Sequence, residues 1–354
     1  MTTIGVAGPA PYDVLVGTGV LAALPGLLAG AARVAVVHSQ DRGHARGIEE
    51  LLAAAGYAVT PIAVPDGEAA KQVSVAARCW DALAAAGFTR TDAVVGVGGG
   101  ALTDLAGWVA AGWVRGVRVA HVPTTLLGMV DAAIGGKTGV DIDAGKNLVG
   151  AFHPPVGVVC DLDMLRTLPP ADYAAGLAEV VKAGFIADPE ILTVIEHDPR
   201  TAAMPASPVA AELVERAVRV KADIVGRDLR DAGPREMLNY GHTLAHAVER
   251  AERYRFRHGD AVAIGLVYAA ALGRLAGRLD VATATRHRAI LTAIGLPTTY
   301  PAGAWPALAA TMRLDKKARG ATLRFVVLDG LARPGILDDP DPELLRAAYQ
   351  EVAR

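Results

Sequence analysis

Through the first half of the chain, short apolar runs rich in valine alternate with longer runs rich in alanine and leucine. Residues 33–39 (RVAVVHS), 57–64, 92–97 (DAVVGV) and 118–122 read as strands, and residues 47–55, 74–86 and 102–111 as helices. Strands alternating with helices of this length predict a parallel sheet with crossover helices. Beyond residues 156–163 the strand-like runs almost vanish. From Pro169 the chain reads as helix after helix, with breaks near residues 199–208 and 231–234 and a single short β run at 323–328. The pattern predicts an α/β domain over residues 1–165 and an all-α domain over residues 166–354. The longest apolar run, residues 261–273, falls short of the roughly 20 residues needed to cross a bilayer and reads as a buried helix.

Composition narrows the partners more than the fold. A chain of 354 residues exceeds one typical core, in keeping with two domains. A net charge of -2 gives no electrostatic reason to expect nucleic acid or an acidic membrane. Cys79 and Cys160 are too few for a disulfide framework and lack metal spacing, which predicts a reducing cytosol. The opening MTTIGVAGPAPYDV has no basic segment followed by an apolar one, so no secretory signal is expected.

The densest chemical signal is residues 237–259, MLNYGHTLAHAVERAERYRFRHG, which carry His242, His246 and His258. His242 and His246 are four apart, so on a helix both rings leave one face. A catalytic metal centre takes three protein ligands and keeps a position open, and imidazole is the commonest ligand. Two of these histidines and one remote carboxylate would complete such a set. Each histidine taken singly equally fits a helix-surface or core role. Glu179, in the amphipathic stretch 176–182, is the best carboxylate candidate, although Glu179 and Lys182 also fit an ordinary surface ion pair.

A second signal is Gly96-Val-Gly98-Gly99-Gly100-Ala101, which follows a strand and opens a helix. Glycines there permit a tight turn and let backbone N–H groups approach a pyrophosphate at a helix N-terminus. The acidic residue expected about 20 positions later is missing, because no Asp or Glu lies between Asp104 and Asp131. The turn therefore reads as a phosphate-binding turn of another kind, or as a plain glycine-rich strand end. Asp104 either favours the helix dipole or contacts a ligand. Further on, a strand runs into Thr124 and Thr125. The polar run from Asp131 to Asn147 then brings Lys137, Lys146 and paired glycines without apolar periodicity. It does not look like a packed element; it reads as an anion-binding loop or a solvated surface loop.

Taken together these segments resemble the 3-dehydroquinate synthase family, the sugar-phosphate cyclases of the shikimate route, in its actinobacterial form. The resemblance rests on PDGEAAK at 65–71, GGGALTDLAG at 98–107 and HVPTTLLGMVDAAIGGKTGVDIDAGKNLVGAFHPP at 121–155. It continues through LAEVVKAGFIADP at 177–189, LNYGHTLAHAVE at 238–249, RHGDAVAIG at 257–265 and DKK at 315–317. So many ordered matches are specific for the family and less so for the member, because sister cyclases share most of them.

The resemblance implies a Rossmann-like NAD-binding α/β domain, a helical metal-binding domain and catalysis in the cleft between them. It places the ligands of a divalent metal, Zn²⁺ or Co²⁺, on Glu179, His242 and His258. NAD contacts fall on Asp66, Gly67, Glu68, Lys71, Gly99, Gly100, Ala101, Leu102, Thr103, Asp104, Thr124, Thr125, Lys137, Lys146 and Thr167. Substrate and catalytic contacts fall on Asp131, Lys137, Asn147, Lys182, Lys221, Arg235, Asn239, His246 and Lys316 of the Asp315-Lys316-Lys317 run. Arg115 matches a family arginine that reaches a neighbouring subunit's phosphate pocket, which implies a homodimer.

The implied reaction converts 3-deoxy-D-arabino-heptulosonate 7-phosphate to 3-dehydroquinate and phosphate. It runs by NAD-recycled oxidation, phosphate elimination, reduction, ring opening and aldol closure, with no net redox change. A phosphate and a carboxylate must both be held, which accounts for the basic residues in these motifs. Arg235 suits the carboxylate; Lys137, Asn147 and His246 suit the phosphate. The chain departs from the family pattern at Asp228-Leu229-Arg230-Asp231, where an Asp-Glu-basic-Glu run is usual, and at Asp141, where Asn is usual. The alternatives are a sister cyclase (amino-dehydroquinate, valiolone or scyllo-inosose type) and an NAD- and metal-dependent polyol dehydrogenase. A non-enzymatic NAD sensor is the remotest. Retention of GGKTG, GKN and Arg235 favours a carboxylated substrate.

Overall fold

The computed structural model describes residues 1–318 and 323–354, with the backbone alone for 314–318. Contacts divide the chain into two compact units. One comprises Met1–Leu168 and Ala210–Arg230; the other comprises Pro169–Val209 and Asp231–Arg354.

The first unit is built on β1 (Thr2–Val6), β2 (Tyr12–Gly17), β3 (Arg33–Ser39), β4 (Ala58–Val64), β5 (Ala93–Gly98), β6 (Arg118–Pro123), β7 (Lys137–Ile142), β8 (Gly145–Phe152) and β9 (Gly157–Asp161). Seven of these form one sheet in the order β1-β2-β9-β6-β5-β3-β4, parallel throughout except for the β1–β2 pair. Along β3, Val34 and Val36 enter one core with Val95 and Val122, while Ala35 and Val37 enter the other with Val94 and Val119. Burial on both faces is why these strands read as unbroken apolar runs and not as alternation. From β3 the chain passes outward to β4 and then crosses back to β5, which makes the β3/β5 boundary the topological switch point. Ligands of such sheets bind beyond the strands' carboxyl ends at that point, and the glycine turn begins where β5 ends.

Three expectations change. The edge strand β1 and its neighbour β2 are unpredicted; short and interrupted by Gly5, Gly8 and Pro9, they carry little pattern. The polar run 131–147 is not simply a loop, because β7 and most of β8 form an antiparallel hairpin within residues 137–152. Backbone pairing holds it and glycines let the strands close up: a Cβ on Gly150 would lie 2.1 Å from the Thr138 carbonyl oxygen. The division at 165/166 also differs from the compact units. The helix Ala210–Arg227 belongs with the first, where it packs on β1 and β2.

The second unit is helical, around Pro170–Ile186, His242–Ala251 and His258–Leu275, with further helices at Glu190–His197, Val281–Ala293, Trp305–Ala318 and Pro342–Gln350. His258–Leu275 is buried along almost its whole length and packs against both of the first two helices. The β run near residue 324 is β10 (Arg324–Leu328), paired with β11 (Pro334–Asp338), so the unit is not wholly α.

Candidate metal centre and nucleotide-binding turn

Three helices of the second unit each supply one side chain to a common point. Glu179 lies inside Pro170–Ile186, His242 begins His242–Ala251, and His258 begins His258–Leu275. Two glycine contacts bring the helices this close. A Cβ on Gly259 would sit 1.8 Å from the carbonyl oxygen of Ala175, one turn before Glu179. A Cβ on Gly265 would sit 2.0 Å from the carbonyl oxygen of Gly241, the residue that starts the His242 helix in the left-handed region at φ 81. Neither approach tolerates a side chain.

One ligand atom from each of Glu179, His242 and His258 lies within 4.8 Å of the others. Nε2 of His242 is 3.2 Å and Nε2 of His258 is 3.4 Å from Oε1 of Glu179, and Oε2 ion-pairs with the Lys182 ammonium. Glu179 and Lys182 are both 3% exposed, so this is no surface pair. Despite these contacts, neither Glu179 oxygen meets an aligned hydrogen-bond donor among the described residues. One carboxylate and two imidazoles gathered this closely make up a ligand set that a three-ligand metal site takes. Burial would raise the Glu179 pKa, but Lys182 and the two imidazoles hold it well below the usual range. Burial would lower His258, yet the adjacent Glu179 and Glu249 carboxylates raise it to about 10. Each imidazole is also held from behind: Nδ1 of His242 is 3.1 Å from the Tyr240 carbonyl, and Nδ1 of His258 is 3.3 Å from Glu249 Oε1. Sequence reasoning passes over Glu249, although its place seven residues after His242 puts it on the same helix face.

Other expected residues of this unit are near in structure. His246 is exposed, its ring centroid 5.4 Å from that of His242 and 6.5 Å from that of His258. Arg235 is buried and Asn239 half-buried in the turn Pro234–Asn239. The side chain of Lys316, with its neighbours Asp315 and Lys317, lies outside the described residues. Asp231 has φ 59, a left-handed conformation that Asp adopts more readily than most residues.

In the first unit the glycine turn leads into the helix Gly100–Gly112, whose N-cap Gly99 offers no side-chain cap to the first N–H groups. A Cβ on Gly100 would meet that of Ala132 at 2.9 Å. Thr103 closes its hydroxyl onto the Gly100 carbonyl at 2.9 Å. Beside them Lys71, 3% exposed, donates to Asp104 Oδ2 at 2.6 Å and to the Asn147 side-chain oxygen. Burial lifts the Asp104 pKa to about 6 against the opposing pull of Lys71, so the pair is ionised at neutral pH. Lys146 ion-pairs with Glu68 at 3.3 Å, and the exposed Thr167 bonds to His44 at 2.9 Å. Asp66 and Gly67 open the short helix that carries Lys71, Ala101 and Leu102 lie in the first helical turn, and Thr124 and Thr125 follow β6. Asp141 accepts from the Asn147 backbone N–H at 2.8 Å and so fixes a residue at φ 55. An Asn oxygen could accept the same bond, so the Asp141 departure preserves the turn.

Lys221, on Ala210–Arg227, donates to both the carboxylate and the backbone carbonyl of Asp131. Lys137 is exposed at the start of β7, just after Gly136, whose φ of 62 and Cβ clash with Pro154 (2.8 Å) demand glycine. Arg115 stands exposed in a turn where Val114 and Arg115 are both left-handed, at φ 40 and 68.

With this geometry in hand, similarity decides the family. Residues 61–175 match the 3-dehydroquinate synthase N-terminal family and residues 176–318 the 3-dehydroquinate synthase C-terminal family. A 3-dehydroquinate synthase of Thermobifida fusca (strain YX) is 62% identical over 356 residues, covering 100% of this chain and 97% of its own. The chain belongs to the 3-dehydroquinate synthase family. A second family relative, from Streptomyces avermitilis, is 60% identical over 98% of this chain and 96% of its own. Among solved structures, ValA, the 2-epi-5-epi-valiolone synthase of Streptomyces hygroscopicus with NAD⁺ and Zn²⁺ bound, aligns with a TM-score of 0.87 at 28% identity over 96% of each chain. A 2-deoxy-scyllo-inosose synthase complexed with carbaglucose-6-phosphate, NAD⁺ and Co²⁺ aligns at 0.89 and 24% identity over 99% of this chain and 100% of its own, a likeness of fold.

Proposed function

We infer that this chain acts as a 3-dehydroquinate synthase, a phosphate-eliminating lyase that converts 3-deoxy-D-arabino-heptulosonate 7-phosphate to 3-dehydroquinate and phosphate. The observation that carries the metal half of this reading is the convergence of Glu179, His242 and His258, the first two buried and the third half-buried, with no aligned hydrogen bond at the carboxylate among the described residues. Full-length identity to relatives of that name supports the choice of substrate.

In the proposed roles, Glu179, His242 and His258 hold one divalent ion, Zn²⁺ or Co²⁺. The Gly99–Gly100 turn, Lys71, Asp104, Thr124, Thr125 and Lys146 hold NAD. When bound, these two groups supply the transient oxidation and the polarisation of the hydroxyl being oxidised. Lys182 neutralises the carboxylate ligand from the side opposite the imidazoles. Arg235, with its planar fork, pairs with the substrate carboxylate; Lys137, Asn147 and His246 take the phosphate. Lys221 holds Asp131 at a fixed orientation for the substrate, and Asn239 adds a polar contact. The substrate's phosphate can take the proton in the elimination, so no strong protein base is needed. We further propose a homodimer in which the left-handed turn at Val114–Arg115 projects Arg115 toward the neighbouring subunit. A cytoplasmic location fits the two free, buried cysteines.

The test is a product assay across the heptulosonate phosphate, its amino analogue, sedoheptulose 7-phosphate and glucose 6-phosphate. The reading expects 3-dehydroquinate from the first and little turnover of the rest. Preferred turnover of any other would assign the chain to a sister cyclase.

A further inference from the structure

We propose that Glu249 is a positioning residue for the metal centre: its carboxylate holds His258 through Nδ1 and keeps Nε2 turned toward Glu179 and His242. The inference rests on the reading of those three residues as metal ligands.

The two imidazoles are built differently. His242 is 8% exposed, follows a residue fixed at φ 81, and has its Nδ1 held by the Tyr240 carbonyl two residues away. His258 has no such local brace from its own backbone among the contacts described. It is the first residue of its helix, its side chain is 28% exposed, and it follows a loop in which Arg253 and Tyr254 are both left-handed, at φ 52 and 59. What faces its Nδ1 is the Glu249 carboxylate at 3.3 Å, while its Nε2 faces Glu179 at 3.4 Å. Glu249 is itself only 7% exposed, on a helix face two turns from His242. The Tyr254 N–H donates to the backbone carbonyl of residue 249 at 2.7 Å, a helix-end bond that the Glu249→Gln and Glu249→Ala variants both keep. The Glu249 side chain therefore bears on how the returning imidazole is rotated.

The chemistry follows from the acceptor. A carboxylate at Nδ1 keeps the proton on that nitrogen, so the lone pair that a metal needs stays on Nε2. It also places a negative charge one ring away from the ion and makes the imidazole a better donor. An amide in its place can present an N–H to Nδ1 instead, which favours the tautomer with Nε2 protonated and unable to ligate.

The experiment measures Zn²⁺ and Co²⁺ affinity by chelator competition, and the visible Co²⁺ spectrum, for the full-length parent, Glu249→Gln and Glu249→Ala. NAD⁺ binding and the melting temperature of the metal-free protein are recorded alongside. Loss of an outer-shell partner of this kind costs about 10–100-fold in metal affinity. That loss is expected in both variants, with a shifted Co²⁺ spectrum in Glu249→Gln and NAD⁺ binding unchanged. Metal affinity within about twofold of the parent in Glu249→Gln, with the parent spectrum, would overturn the proposal. So would a loss of metal matched by loss of NAD⁺ binding and of the metal-free fold in Glu249→Gln, because the residue would then serve only the fold. If the parent itself binds neither ion, the metal reading fails and takes the proposal with it.

Discussion

Gly259→Ala isolates the geometry that builds the proposed metal centre. The added Cβ would start 1.8 Å from the Ala175 carbonyl oxygen, 2.4 Å from its carbon and 2.7 Å from Cα of Ala175, all backbone atoms that cannot rotate away. Contacts under 3.0 Å do not persist, so the two helices must part by at least 1.2 Å at this point. That point is next in sequence to His258 and one helical turn from Glu179. Metal–ligand distances tolerate only about 0.2 Å, so a displacement several times larger on one of three ligands removes most of the affinity. The overpacking itself costs about 1–3 kcal/mol of stability. Gly47→Ala is the matched control: it lies in the helix Gly43–Ala54 with nothing within 4 Å of the new methyl, and should stabilise by about 0.5–1 kcal/mol. Metal content after dialysis, by mass spectrometry, is read against the melting temperature of each variant. One tightly held ion per chain in Gly259→Ala, at the parent's affinity, would refute the argument that close helix approach places these ligands.

Metal binding should release close to one proton near neutral pH, because His258 is protonated in the metal-free protein up to about pH 10 and must be neutral to ligate. Affinity should therefore rise about tenfold per pH unit between pH 6.5 and 8.5, measured by calorimetry in buffers of differing ionisation enthalpy; an absence of proton release would contradict it. His287 is buried and neutral, with its pKa pushed by burial from 6.5 down to about 3, so the unfolded chain takes up its proton first and stability falls as pH drops below 6.5. His287→Gln should flatten the pH dependence of urea unfolding by about 1.4 kcal/mol per pH unit in that range, relative to the parent. Lys71→Met leaves Asp104 without its cation and should cost on the order of 3 kcal/mol together with most NAD⁺ affinity; unchanged NAD⁺ titration would remove Lys71 from the nucleotide site.

How much of this is legible in the sequence depends on where each piece of stability comes from. The strand Arg33–Ser39 reads correctly to the residue because burial on both faces writes itself into an unbroken apolar run. The hairpin of β7 and β8 does not, because backbone pairing between glycines and polar residues leaves no periodic mark. The helix Ala210–Arg227 is legible as a helix with an apolar face, but a face does not say which partner it meets, so its return to the first unit is invisible until β1 and β2 are in place. The histidine pair at i,i+4 announces a possible site, yet only one of the two faces Glu179. His258 and Glu179 become partners through two glycines whose role is an absence of side chain. Glu249 goes unread because a glutamate on a helix face ordinarily means solvent; here it is buried and His258, beyond the loop, returns to its carboxylate.

The central claim is that this chain recycles its nucleotide while eliminating phosphate. Its most direct test supplies the metal-loaded protein with 3-deoxy-D-arabino-heptulosonate 7-phosphate and NAD⁺ at a small fraction of the substrate concentration, and follows phosphate, 3-dehydroquinate and absorbance at the NADH wavelength together. Many phosphates and an equal number of 3-dehydroquinate molecules are expected per NAD⁺, with no accumulation of NADH. NADH formed in proportion to substrate consumed, without phosphate release, would contradict it and assign the chain to dehydrogenation.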